Sequence, residues 1–146
     1  MQVTAMTWAI AVAGFAIMGV LWAAQLVAFL RPRAGWTIEN IYGGRPEETD
    51  PKAYFAFNRG YSIADVFFWG PLQFAASTGM LLGQRWGFLL GLMASVPFWY
   101  TAVTIFVWDR DLGFRRDTLF YWVVIWGIFP AYGVVAGVYC FWRLLF

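Results

Sequence analysis

The run TWAIAVAGFAIMGVLWAAQLVAFL, Thr7 to Leu30, holds 24 residues without one charged side chain and is closed by Arg31-Pro32-Arg33. At 1.5 Å of rise per residue, a helix of that length is about 36 Å long, more than the roughly 30 Å hydrocarbon core of a bilayer. Such a run reads as a membrane crossing. A cleaved signal peptide is the competing reading, but the run of 24 residues is longer than a signal's apolar stretch and has no basic leading region.

Three further apolar runs follow, at about 63–82, 86–108 and 119–141. Gly83-Gln84-Arg85 leaves room only for a tight turn between the second and third, which makes those helices antiparallel neighbours. The one sizeable loop, about 31–60, contains Glu39, Arg45, Glu47, Glu48, Asp50 and Lys52 together with the breakers Gly43-Gly44 and Pro46. Within it, Asp50-Pro51 has the form of an N-cap followed by proline at the first helical position, so a short helix is expected over 51–58. The fold expected is therefore all-α: a single domain, 1–146, built as a polytopic membrane protein with four transmembrane helices in an antiparallel bundle. Composition agrees, since 62% hydrophobic and 12% charged residues leave too few charges to cover a water-facing exterior.

Basic residues set the orientation. Arg31, Arg33, Arg45, Lys52, Arg59, Arg110, Arg115 and Arg116 fall in the first and third loops, against Arg85 and Arg143 on the other side. That asymmetry places both loops in the cytoplasm and both termini on the non-cytoplasmic face. Glu39, Glu47, Glu48, Asp50, Asp109, Asp111 and Asp117 crowd the same loops, so the net charge of +2 forms no basic patch and no nucleic-acid partner is expected. The chain has no histidine and one cysteine, Cys140. Histidine-ligated haem, histidine metal sites and Ser-His-Asp triads are thereby excluded, and neither a cofactor nor a metal is expected.

Gly83, Gly87, Gly91 and Ser95 recur every four residues, and Gly133 and Gly137 repeat the pattern later. Small residues at that spacing let another backbone approach closely, within the chain or in a homo- or hetero-oligomer. Pro71, Pro97 and Pro130 each lie near the middle of a predicted crossing and free the carbonyl four residues earlier, at Phe67, Met93 and Trp126. Three freed carbonyls at one depth suggest helices that bow apart around a cavity, which Trp69, Trp99 and Trp126 would line. Asp65 is the one acid inside a predicted crossing. Two readings stand: Ser62-Ile63-Ala64-Asp65 as a capping box at a helix start, or an intramembrane acid held at a cost of roughly 2.5–3.5 kcal/mol for a function.

Trp69-Gly70-Pro71-Leu72, then Phe88, Ser95-Val96, Tyr100, Asp109 and Gly113-Phe114, with Trp126-x-x-x-Pro130 beyond, resembles the emopamil-binding-protein (EXPERA) family of sterol isomerases and related lipid-binding membrane proteins. The resemblance covers about the second half of the chain. It implies a cavity for a sterol-like or isoprenoid-like ligand, with Asp109 at the family's acid and Trp126 at a cavity tryptophan; with the residues read above, the candidates are Trp69, Trp99, Tyr100 and Trp126 for binding and Asp65 and Asp109 as catalytic acids. Departures touch the chemistry. The family's second-helix glutamate falls at Ser62, its fourth-helix asparagine at Val123, and its first-helix histidine and glutamate have no counterpart beyond Gln25. An isomerase of lipid substrates therefore lacks its usual proton relay. The expectation is an integral membrane protein that binds a membrane lipid or sterol-like small molecule, the alternative being a non-catalytic accessory subunit of a larger membrane complex.

Overall fold

The computed structural model describes residues 1–42, 50–112 and 122–146, without the side chains of residues 108, 109, 111, 112, 122, 124 and 125. The glycine and proline breakers at 43–46, the acids Glu47, Glu48 and Asp117, the basic Arg45, Arg115 and Arg116, Gly113-Phe114 and the first residues of the fourth predicted crossing lie outside the described residues. So does the side chain of Asp109.

Helix α1 spans Ala5–Leu30. It starts where Thr4 and Thr7 cap each other: each hydroxyl accepts the other's backbone N–H at 3.2 Å. It stops at Arg31, which the following Pro32 drives out of helical geometry to φ −133°. A short helix not anticipated from the sequence, α2, covers Gly35–Asn40. Helix α3, Pro51–Ala64, begins as expected, with the Asp50 carboxylate accepting the Lys52 N–H at 3.0 Å and Pro51 in the first turn.

The expected short helix does not end near residue 58. Helical backbone continues through a π-helical segment, π1 (Asp65–Trp69), into α4 (Gly70–Leu81). Ser62 and Asp65 therefore do not open a helix, and the capping-box reading is corrected. Ser62 sits inside the helix, with Gln25 Oε1 at 2.8 Å and the Asn58 carbonyl at 3.0 Å as acceptors for its hydroxyl.

The π geometry also moves the carbonyl that Pro71 frees. Gly70 donates its N–H five residues back, to Asp65 O, so the bond missing at Pro71 falls on Val66 rather than on Phe67. Trp22 of α1 fills the vacancy, its indole N–H reaching Val66 O at 3.0 Å. At Leu82-Gly83-Gln84 the chain turns through Gly83 at φ 65°, with Gly83 N–H on Met80 O and Gln84 N–H on Gly79 O. This pair of hydrogen bonds closes the helix in the manner of a Schellman turn, which glycine enters without strain.

Helix α5, Arg85–Leu112, follows and contains Pro97. A second π segment, π2 (Trp122–Ile128), leads into α6 (Phe129–Leu145). Pro130 stands second in α6 as Pro71 stands second in α4, so each π segment runs straight into a proline.

Contacts between elements define an antiparallel ring. Trp22 meets Val66, and Gln25 meets Ser62, so α1 runs against the α3–α4 rod. Gly87 lies against the backbone of Gly79, Gly91 against Cys140, and Ser95 against Gly137, which sets α5 against both α4 and α6. The ring closes through side chains: the Tyr139 hydroxyl lies 2.8 and 2.6 Å from those of Thr4 and Thr7, and Arg143 donates to Gln2 O at 2.6 Å. The glycine rows are thus occupied between helices of this chain.

No strand occurs among the described residues, and three helices are long and apolar enough to cross a membrane: Ala5–Leu30, Arg85–Val107 and Trp126–Leu145.

Candidate functional site

At the level of the prolines the bundle interior is filled by aromatic rings. Trp69, Phe98, Phe129 and Tyr132 are all buried, with Trp69 and Tyr132 edge-on to Phe98 at centroid distances of 4.6 and 4.9 Å and Phe129 at 5.4 Å. Trp69 also donates its indole N–H to Ala94 O at 3.2 Å, three residues before Pro97. A second indole thus supports the backbone beside a proline, where the helix ladder is weakest.

A polar knot lies below this layer, one that the sequence reading missed. Gln73 is 1% exposed and donates from Nε2 to the Tyr132 hydroxyl at 3.0 Å and to Ser77 Oγ at 3.1 Å. Tyr132 in turn donates to Ile10 O at 3.3 Å. Gly14 makes the room: a Cβ there would stand 2.3 Å from both Gln73 Nε2 and the Tyr132 hydroxyl oxygen. The signal was present, because a glutamine with a serine four residues on, inside an apolar run, is the usual form of interhelical polar glue. Gln73 Nε2, the Tyr132 hydroxyl and the Ser77 oxygen are thus engaged with one another, so the knot specifies how the helices meet.

Asp65 differs in that respect. Its side chain is 5% exposed, on the first residue of π1, and no described residue forms a hydrogen bond or ion pair with it. One turn earlier on the same face, the Tyr61 hydroxyl is buried and also lacks a hydrogen-bond partner among the described residues. Asp65 and, from α5, Tyr100 act on that hydroxyl electrostatically. Thr104 donates its hydroxyl proton to Tyr100 O at 2.7 Å, and its oxygen keeps lone pairs that bear on the Tyr61 hydroxyl. A buried carboxyl and a buried phenol with unspent hydrogen-bonding capacity are costly unless something pairs with them. The π turn has the effect of an inserted residue that re-aims the side chains of one turn, a form found often at functional positions.

Of the residues singled out from sequence, Asp65 and Tyr100 come together here, Tyr100 standing 67% exposed at the outer edge. Trp69 belongs to the aromatic core, and Trp99 is 44% exposed on the outer side of α5, where its ring approaches Gly133. Trp126 lies edge-on to Phe106 at 5.2 Å. The four aromatic candidates therefore do not converge on one cavity lining. Nearer the loop, Tyr42 is buried and donates to Ala28 O at 3.4 Å, and burial raises its pKa above the ordinary tyrosine value. The group of Gln25, Ser62 and Tyr42 is internally paired and frames the Asp65 end of the bundle. Among the described residues no group of three or more histidine, cysteine or carboxylate side chains could hold a metal ion. Compared with family models, with curated proteins and with solved structures, the chain matches none.

Proposed function

We propose that this chain is a four-crossing membrane protein that binds an amphiphilic lipid, sterol-like or isoprenoid-like in its apolar part, by accepting hydrogen bonds from the ligand's polar end at Asp65 and Tyr61. The observation that carries the reading is the Asp65 carboxyl, 5% exposed and unpartnered among the described residues. An ammonium or hydroxyl brought to it would supply the missing partner. The apolar tail would gain little by leaving lipid, which is already as apolar as a helix surface, so the polar end sets selectivity.

The crossing that joins the three long apolar helices in this reading is the second predicted one, 63–82. Its polar side chains Asp65, Gln73 and Ser77 are buried, whereas Phe67, Phe68 and Leu82 are exposed. Polar inside and apolar outside is the arrangement a bilayer demands and water penalises. Binding, rather than isomerisation, is the proposed activity, because no second acid is described beside Asp65 to complete a proton relay.

The reading is tested on the purified chain by mass spectrometry of the lipids that leave the membrane with it. Wild-type protein should retain an amphiphile with an amine or hydroxyl head that Asp65→Asn loses while folding normally. Identical lipid content in both, or an obligate protein partner in place of lipid, favours the accessory-subunit reading.

A further inference from the structure

The connector after α1 and one face of α3 enclose a second feature. Pro32, Arg33, Phe55, Ala56 and Arg59 line a cleft of about 150 Å³, the last three spaced so that they share one side of the helix. The Arg33 guanidinium carbon lies 5.8 Å from the centre of the Phe55 ring, close enough for the ring face to hold the guanidinium in place. Neither arginine makes an ion pair with a described residue. Two arginines lining one small opening suit a phosphate, whose oxygens accept paired N–H bonds from a guanidinium.

Position selects the source of that phosphate. Arg33 is three residues beyond Leu30, the last residue of the first span, so the cleft lies at the depth where acyl chains give way to headgroups. Leu30 and Trp36 are exposed beside it and would sit against acyl chains and the interface respectively. We propose that this cleft binds the phosphate of an anionic phospholipid on the side where the basic loops lie. The site is separate from Asp65 and takes the opposite charge.

The test uses the full chain in mild detergent, with native mass spectrometry counting retained phosphatidylglycerol or phosphatidylcholine of identical acyl chains. Phosphatidylglycerol should be retained preferentially. Arg33→Gln and Arg59→Gln should each weaken retention about fivefold, the weight of one basic residue at an anionic surface. Arg31→Gln, outside the cleft, should leave it unchanged. Inorganic phosphate at the same concentration should not compete. Equal retention of the two lipids, wild-type retention in both cleft variants, an equal loss in Arg31→Gln, or full competition by inorganic phosphate would each overturn the proposal.

Discussion

Replacing Gly87 by alanine probes the closest approach of a glycine to another helix's backbone. The new Cβ would lie 2.2 Å from the carbonyl carbon of Gly79 and 2.3 Å from the Met80 nitrogen, where ordinary contact begins at 3.4 Å. Both obstacles are backbone, so no side chain can swing aside, and α4 and α5 must part by about 1.2 Å, the shortfall from 3.4 to 2.2 Å. Overpacking of this kind costs about 1–3 kcal/mol, and with rigid obstacles the upper end applies. Alanine recovers about 1 kcal/mol through its better helix propensity. The net loss is about 2 kcal/mol, a fall of about 4–8 °C in melting temperature for a chain of this size. Gly19 is the control, since a Cβ there meets nothing within 4 Å. Gly19→Ala should keep the propensity gain and melt slightly higher than wild type. Thermal melting of both variants in one detergent is the assay. Equal melting of the two would refute the α4–α5 packing and return the glycine row to contacts outside the chain.

Trp22→Phe should cost about 0.6–1.7 kcal/mol by orphaning Val66 O, and almost nothing in a Pro71→Ala background, where the backbone supplies its own donor; an undiminished cost in the double variant would contradict the π register. Gln73→Leu and Tyr132→Phe should each destabilise measurably, yet together cost at least about 0.5 kcal/mol less than their sum, because they break one knot; strict additivity in a melting cycle would dissolve it. For orientation, single cysteines at Arg33 and at Gln84 in a Cys140→Ala background should react with an impermeant maleimide from opposite sides, Gln84 from outside in intact cells, and the reverse pattern would invert the topology.

Much of the scaffold was legible because its signals are local. The Arg31-Pro32-Arg33 stop, the Gly83 turn and the Asp50-Pro51 start each act within a few residues, and each occurs where the sequence places it. The start at Pro51 was legible but the continuous rod to Leu81 was not, because Arg59 and Gly60 read as the end of a short helix although a helix leaving the bilayer tolerates them. Ser62 and Asp65 have the spacing of a capping box, but a cap requires a helix start, and the helix had begun three turns earlier. Tryptophans were the hardest to sort. Trp69 and Trp99 look alike along the chain, and only the facing of π1 and α5 turns one into the core and the other outward. Neither π segment announces itself beyond the proline that follows it. The unpartnered state of Asp65 is a three-dimensional fact with no counterpart in the order of residues.

The central claim is that Asp65 waits for a donor from a lipid's polar end. Its most direct test is a binding titration, in detergent, of a long-chain tertiary amine against a neutral analogue of the same shape, with wild-type protein, Asp65→Asn and Ser62→Ala. Wild-type and Ser62→Ala protein should bind the amine and scarcely bind the analogue, and Asp65→Asn should lose that preference while melting within a few degrees of wild type. Equal binding of amine and analogue by wild type, or an unchanged preference in Asp65→Asn, would contradict it.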